Sequence, residues 1–349
     1  MSNLRGIVFI VGASRSGTTM LNRILGQHPS VAVMKELHYF GDLFKFGKNQ
    51  GVINDSELIK ITAKIFARYR RGLWNDFVQN TDIESAGTLL VNAHKTIEGT
   101  ELFHRFIEYV ADETGSYLVA EQTPRNIYYA ADILDAYPNA RIVHIIRDPR
   151  AVIASQKKRW TRRKTLNAKN IPIREMIREK ISYHPYTMIL LWKKAFVKGQ
   201  DIQGSDRYLR IKFEELVEYP IQVVRQLCDF LEIPFDKKML AIQQVDSSLR
   251  VADNTSVGIQ KSAVDAWKKV LSSGETFLIE KELSLEIKQL GYKKQSLPLS
   301  SSRVFFSLLL IFLSFPTHLL ASLVINPHRF FIQLTAVLIP GFKKSVRPT

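Results

Sequence analysis

The apolar run Ile7-Val8-Phe9-Ile10-Val11 passes straight into Gly12-Ala13-Ser14-Arg15-Ser16-Gly17-Thr18-Thr19 and then into a helical pattern over Thr19–Gln27. No other stretch restricts the fold so strongly. Strand, small-residue loop and helix in that order form a cradle for phosphate. Backbone N–H groups converge where side chains are small, and the helix N-terminus adds a favourable dipole. The spacing approaches Gly-x4-Gly-Lys-Ser/Thr, but Thr18 stands where that pattern has lysine. A nucleotide kinase or ATPase places that lysine on the β- and γ-phosphates. Here the positive charge lies inside the loop, at Arg15, so the loop is expected to take a phosphate-like anion other than the tail of ATP.

Further apolar runs at Val31–Met34, Tyr117–Ala120, Arg141–Ile146 and Tyr208–Lys212 read as strands, with helical patterns at Asn126–Tyr137, Ala151–Trp160 and Pro220–Leu231. Strands alternating with helices predict an α/β fold, a P-loop-like parallel sheet flanked by helices. The stretch from Gly41 to Gly115 reads as mostly helical. Its aromatics Phe44, Phe46, Phe66, Tyr69, Trp74 and Phe77 suit either a lid over an acceptor or ordinary core packing. The fourth apolar run ends in Arg147-Asp148-Pro149-Arg150, with Ser155 on the helix that follows. An arginine at a strand's carboxyl end and a serine on the next helix can reach one phosphate from two directions.

These two segments together resemble the sulfotransferases that use 3′-phosphoadenosine-5′-phosphosulfate, with wording closest to tyrosylprotein and bacterial members. The resemblance runs from about Gly6 to Gly291 through a divergent middle, and what it implies is specific. Arg15, Ser16, Gly17, Thr18 and Thr19 would hold the 5′-phosphosulfate, and Arg147 with Ser155 the 3′-phosphate. In the similar tyrosylprotein enzymes a glutamate after the loop deprotonates the acceptor, and that role falls here on Glu36. Glu36 follows a strand ending near Met34, at the sheet edge where open α/β folds bind ligands. His38 is the competing base. The resemblance further implies that Ser256 and Lys261 touch the donor, and that Phe213 offers stacking surface near its adenine where a tyrosine is usual. It also exposes a departure. Similar enzymes carry Glu-Lys-Thr-Pro, whereas this chain reads Glu121-Gln122-Thr123-Pro124-Arg125, so a hydrogen-bond donor without charge replaces a lysine. Arg15 and Arg125 are the candidates to supply the missing charge.

The 349 residues suffice for a full core, and 49 lysines and arginines against 33 acids leave a net charge of +16. That excess favours acidic partners, a nucleotide, an anionic membrane or a polyanionic glycan, and nucleic acid is not among the expected ones. Basic residues concentrate between Lys157 and Lys180, where a helix over Arg174–Ile181 suits either an anionic surface or plain solvent. Cys228 is the single cysteine, at an apolar-periodic position, so it reads as a packed thiol. The eight histidines show no ligand spacing, and no metal is expected. Sulfuryl is less charged than phosphoryl, and its transfer does not oblige a metal.

From Pro298 onward the composition turns apolar. Val304–Ile325 carries no formal charge with His318 neutral, is interrupted by Pro316, and is followed by a second apolar stretch from Phe330 to Phe342. Lys293, Lys294 and Arg303 precede it, and Arg329, Lys343, Lys344 and Arg347 follow. Positive charge on both flanks favours an interfacial or re-entrant arrangement over a single crossing. The expected division is therefore a catalytic domain over 1–297 and an apolar helical, membrane-associated appendage over 298–349. With no charged start and apolar run ahead of the first strand, a bacterial cytoplasmic location is expected. The expected reaction moves a sulfuryl group to an acceptor hydroxyl on a glycan, a lipid or a lipid-linked saccharide. The rival readings are a P-loop kinase and a non-catalytic nucleotide-binding membrane adaptor.

Overall fold

The structure, a computed structural model, describes residues 4–46, 52–91, 96–161, 173–242, 259, 264–295, 297–325 and 327. Its strands are β1 (Gly6–Val11), β2 (Val31–Val33), β3 (Val52–Asn54), β4 (Thr96–Glu98), β5 (Leu118–Glu121), β6 (Ala140–Ile146) and β7 (Tyr208–Lys212). The helices are α1 (Thr18–Leu25), α2 (Asp55–Arg71), α3 (Asn80–Leu90), α4 (Gly99–Thr114), α5 (Ala130–Ala136), α6 (Pro149–Lys157), α7 (Ile173–Ile181), α8 (Pro185–Asp201), α9 (Phe213–Glu218), α10 (Pro220–Leu231), α11 (Ser273–Glu282), α12 (Ser284–Gln289) and α13 (Ser302–Ile325). Among the described residues, those within 1–146, 198–244 and 255–259 form one compact unit. Those within 147–197, 245–254 and 260–349 form a second.

The first unit is built on a five-stranded parallel sheet in the order β2-β5-β1-β6-β7. β1 lies at its centre and is buried along its whole length, as an apolar strand covered on both faces must be. The chain runs from β1 outward to β2 on one side and later to β6 on the other, so the strand order reverses beside β1. That is where a parallel sheet opens a crevice at its carboxyl edge. α4 turns Leu102, Phe103, Phe106, Ile107 and Val110 inward, and α10 does the same with Val223, Val224, Leu227, Cys228 and Leu231. Burial pushes the Cys228 thiol up to about 11, so it stays protonated and packs as a small hydrophobe.

The strands and helices read from the sequence are present with ends shifted by a few residues. The antiparallel pair β3–β4 is an addition within the stretch read as mostly helical. In that stretch most of the aromatics whose side chains are described belong to the core. Phe44 and Phe46 join Tyr39, Phe40 and Phe103 in a cluster of rings, and Phe66 packs edge-on against Phe106. Phe77 alone among those placed is well exposed, under the guanidinium of Arg71.

The second unit gathers α6, α7 and α11–α13. Trp267 is buried against Ala151 and Ala154 of α6, with Arg150 over its ring at 4.3 Å, and so serves as a packing anchor. Lys157 and Tyr183 both reach Glu275, which also caps α11 reciprocally with Ser272.

Candidate active site

The loop after β1 is held by backbone geometry that only small residues permit. Gly12 and Gly17 have φ of 152° and 110°. A side chain at Gly12 would strike the carbonyl of Ile145, and one at Gly17 the ring of Phe213. Phe213 is thus buried against the loop, and its apolar bulk supports the turn. Arg15 also adopts the left-handed region, at φ 81°. Gly12 N–H donates to Pro124 O at 3.0 Å, tying the loop to the segment after β5. Gly17 caps α1 without a side-chain acceptor, and no acid occupies the first turn, so the helix offers an anion its amides uncontested. The Ser16 hydroxyl is fully buried with no hydrogen-bond partner among the described residues. An anion's oxygen is the partner such a group lacks, and the cradle fits a phosphate-like group on that ground.

The carboxylate of Glu36 sits beside this loop, and Gln122 makes the connection. Its Nε2 lies 3.2 Å from Thr18 Oγ1, 3.4 Å from Thr19 Oγ1 and 3.4 Å from Glu36 Oε1. The other carboxylate oxygen of Glu36 is 2.9 Å from His38 Nε2. The two residues that competed as base in the sequence are therefore one hydrogen-bonded pair. Glu36 keeps 40% of its side chain exposed, enough to meet an incoming hydroxyl.

The backbone beneath that pair is clamped by residues whose roles the sequence did not announce. Glu121 Oε1 accepts from Leu37 N–H at 3.3 Å and from the Thr123 hydroxyl, while its Oε2 accepts from Asn126 at 2.8 Å. Thr123 Oγ1 in turn accepts from His38 N–H at 3.2 Å. On the other side Arg68 Nη1 donates to the carbonyls of Leu37 and His38 at 2.7 and 3.3 Å. Burial raises the Glu121 carboxyl to about 7, with the charge of Glu36 adding to the effect. The run Glu121-Gln122-Thr123-Pro124 was a visible signal for Glu121 and Thr123. Arg68 had none, because only folding brings α2 to this segment. Arg125, a candidate for the missing charge, is instead committed to Asp42 and the carbonyl of Phe40.

In the second unit, Arg147 and Ser155 are both buried, the first just before α6 and the second on it. Trp192 Nε1 donates to the carbonyl of Arg147 at 3.2 Å. Asp148 caps α6 by accepting from Arg150 N–H at 2.9 Å, and Pro149 fills the first helical position, where no N–H is needed. The Arg150 guanidinium binds Asp148, Glu280 and the carbonyl of Lys293, so the second arginine of the motif is a structural tie. Ser256 and Lys261 lie outside the described residues. No group of three or more metal-ligating side chains comes together among the described residues.

A model described as the sulfotransferase family matches residues 8–237, a span that takes in both motif segments. The chain belongs to that family. An uncharacterised protein of Aquifex aeolicus (strain VF5) is 23% identical over 293 residues, 82% of this chain and 33% of its own length. This chain thus spans a third of that relative. A putative protein-tyrosine sulfotransferase of Caenorhabditis briggsae is 21% identical over 254 residues, 69% of this chain and 70% of the relative. Among solved structures, the sulfotransferase domain from the curacin biosynthetic pathway superposes with a TM-score of 0.52 at 22% identity, covering 83% of this chain and 99% of that one. At that identity the likeness is one of fold, and it agrees with a parallel α/β sheet. The Gly12–Thr19 loop follows β1 and Glu36 follows β2, both at the carboxyl edge of the sheet.

Proposed function

We propose that this chain moves a sulfuryl group from 3′-phosphoadenosine-5′-phosphosulfate to an acceptor hydroxyl. One observation carries the reading: a single amide nitrogen, that of Gln122, reaches Thr18, Thr19 and Glu36, setting a carboxylate beside an anion-shaped loop. The loop amides, Arg15, Ser16, Gly17, Thr18 and Thr19 hold the phosphosulfate. Arg147 and Ser155 hold the 3′-phosphate, with Ser256 and Lys261 as further donor contacts. Glu36 takes the acceptor's proton as the acceptor oxygen bonds to sulfur. The bond from sulfur to the bridging oxygen breaks, and adenosine 3′,5′-bisphosphate leaves with the electron pair. His38 holds the Glu36 carboxylate in place. Gln122 and Arg15 answer the charge that grows on the departing phosphate.

Residues 1–297 are assigned to this chemistry and 298–349 to membrane association. An apolar appendage beside basic residues favours a glycan, a lipid or a lipid-linked saccharide as the acceptor. Calorimetry with adenosine 3′,5′-bisphosphate tests the donor, and binding is expected; no affinity would overturn the assignment. Sulfur-labelled donor incubated with a membrane extract is expected to label an acceptor, whereas γ-labelled ATP is not. Glu36→Gln should lose transfer while still binding the bisphosphate. Undiminished transfer by that variant would remove Glu36 as the base.

A further inference from the structure

α13 is inside out for a helix on a water-soluble body. Among its buried and half-buried positions, Val304, Ser307, Ile311, Phe315, His318 and Ser322 recur at helical spacing and form one stripe. The Ser307 and His318 side chains and the Ile311 carbonyl bond to the rest of the second unit, while Ser314 and Thr317 lie exposed and bond within the helix. Ser307 Oγ lies 2.8 Å from Ser272 Oγ, the carbonyl of Ile311 is 3.1 Å from His184 Nε2, and His318 Nδ1 is 2.9 Å from the carbonyl of Ile181. The opposite face carries Phe306, Leu310, Phe312, Leu313, Leu320 and Val324, with Phe312 80% and Val324 81% exposed. A core helix turns such residues inward. A largely apolar face along this helix, about 36 Å at its rise per residue, with the exposed Ser314 and Thr317 hydroxyls bonded to the helix's own carbonyls, marks a surface that meets something apolar.

We propose that α13 is a monotopic anchor that lies in the plane of an anionic bilayer, with its outer face in the acyl-chain boundary and its inner stripe on the protein. Charge selects the partner. Arg303 opens the helix, Lys293 and Lys294 precede it, and Arg174 and Lys180 stand exposed on α7, the helix bonded to His318, while α13 holds no acid. Cations around an apolar face complement anionic headgroups, and they would repel a second copy of a chain whose net charge is +16. The inner stripe decides the orientation. A crossing helix would draw Ser272 into hydrocarbon together with Glu275, which caps the same turn and pairs with Lys157. Lying flat leaves those groups in water. Ile173 and Ile177, exposed one turn apart on α7, extend the apolar surface of the unit.

Depth-dependent quenching tests this on the full-length chain. In a Cys228→Ala background, single cysteines replace Phe306, Leu313 and Val324, each bearing a small fluorophore. The protein is mixed with vesicles of phosphatidylcholine and phosphatidylglycerol in equal parts, brominated at shallow or deep acyl positions. All three sites should be quenched alike and by the shallow bromines. A gradient of depth from Phe306 to Val324 would mean a crossing helix and overturn the proposal. Absence of quenching would mean that protein covers the face, whether residues 330–342 or a second copy, and would overturn it too. Leu310→Glu, Leu313→Glu and Leu320→Glu together should cut vesicle affinity about a hundredfold with an unchanged circular dichroism spectrum, because all three side chains are exposed. Unchanged affinity would refute the anchor.

Discussion

Gln122 stands where the Glu-Lys-Thr-Pro pattern has lysine, and a neutral amide in that place has two consequences. It brings no charge of its own to the Oε1 side of the Glu36 carboxylate, and it spreads its hydrogen bonds over the loop and Glu36 at once. On the proposed mechanism, a lysine there would pair with Glu36 and make it a weaker base, so the substitution trades leaving-group charge for basicity. Gln122→Ala is expected to lower kcat about tenfold to a hundredfold, the scale for one donor lost from a preorganised site. Little change in KM should accompany it, and steady-state kinetics with the labelled donor checks both. The departure at position 122 was legible from residue order. That Glu36 and His38 share a hydrogen bond was not, because His38 adopts the left-handed region, at φ 50°, which turns a polar pair two residues apart toward each other.

At the scale of elements, α6 and the segment that carries Glu36 are held in different ways. The segment after β2 has little regular structure and is fixed from outside, by Glu121 and Thr123 on its N–H groups and Arg68 on its carbonyls. α6 is fixed at its N-terminus by Asp148, which is in turn locked to α11 through Arg150 and Glu280. Replacing Arg150 with methionine would take the guanidinium away from two buried carboxylates, Asp148 and Glu280. A loss of about 3–5 kcal/mol is expected in urea unfolding, with partial recovery when Glu280→Gln is added. A bystander arginine would change neither. The start of α6 was readable, since Asp-Pro sets a cap and a first turn. Arg150's partners were not, because Glu280 and Lys293 come from distant parts of the chain that only packing unites.

For the whole molecule, buried titrating groups couple stability to pH. His144 on β6 is enclosed beside Tyr208, and burial, helped by the charge of Arg210, holds its imidazole down at about 3. The unfolded chain takes up that proton near 6.5, so it binds more protons than the folded one between those values. Stability therefore falls as pH drops from about 6.5, by up to about 1.4 kcal/mol per pH unit from this group. Glu121 acts in the opposite sense. Raised to about 7, it stays protonated in the folded chain while ionised in the unfolded one, and costs stability as pH rises from about 4.5 to about 7. His144→Asn should lose less stability than the parent between pH 6.5 and 5, whatever its value at neutrality; equal losses in urea titrations would refute the assignment. The sequence by itself determined the parallel α/β class and the small-residue loop after β1, because strand and helix periods and a run of small residues are local properties of a chain. It also determined that the segment from Val304 to Ile325 is apolar. Only the tertiary structure decided that aromatics between Gly41 and Gly115 fill a core, that Arg150 ties helices together, and which face of α13 is turned outward. Those outcomes depend on which distant surfaces meet, and the pattern of hydrophobic residues carries no record of that.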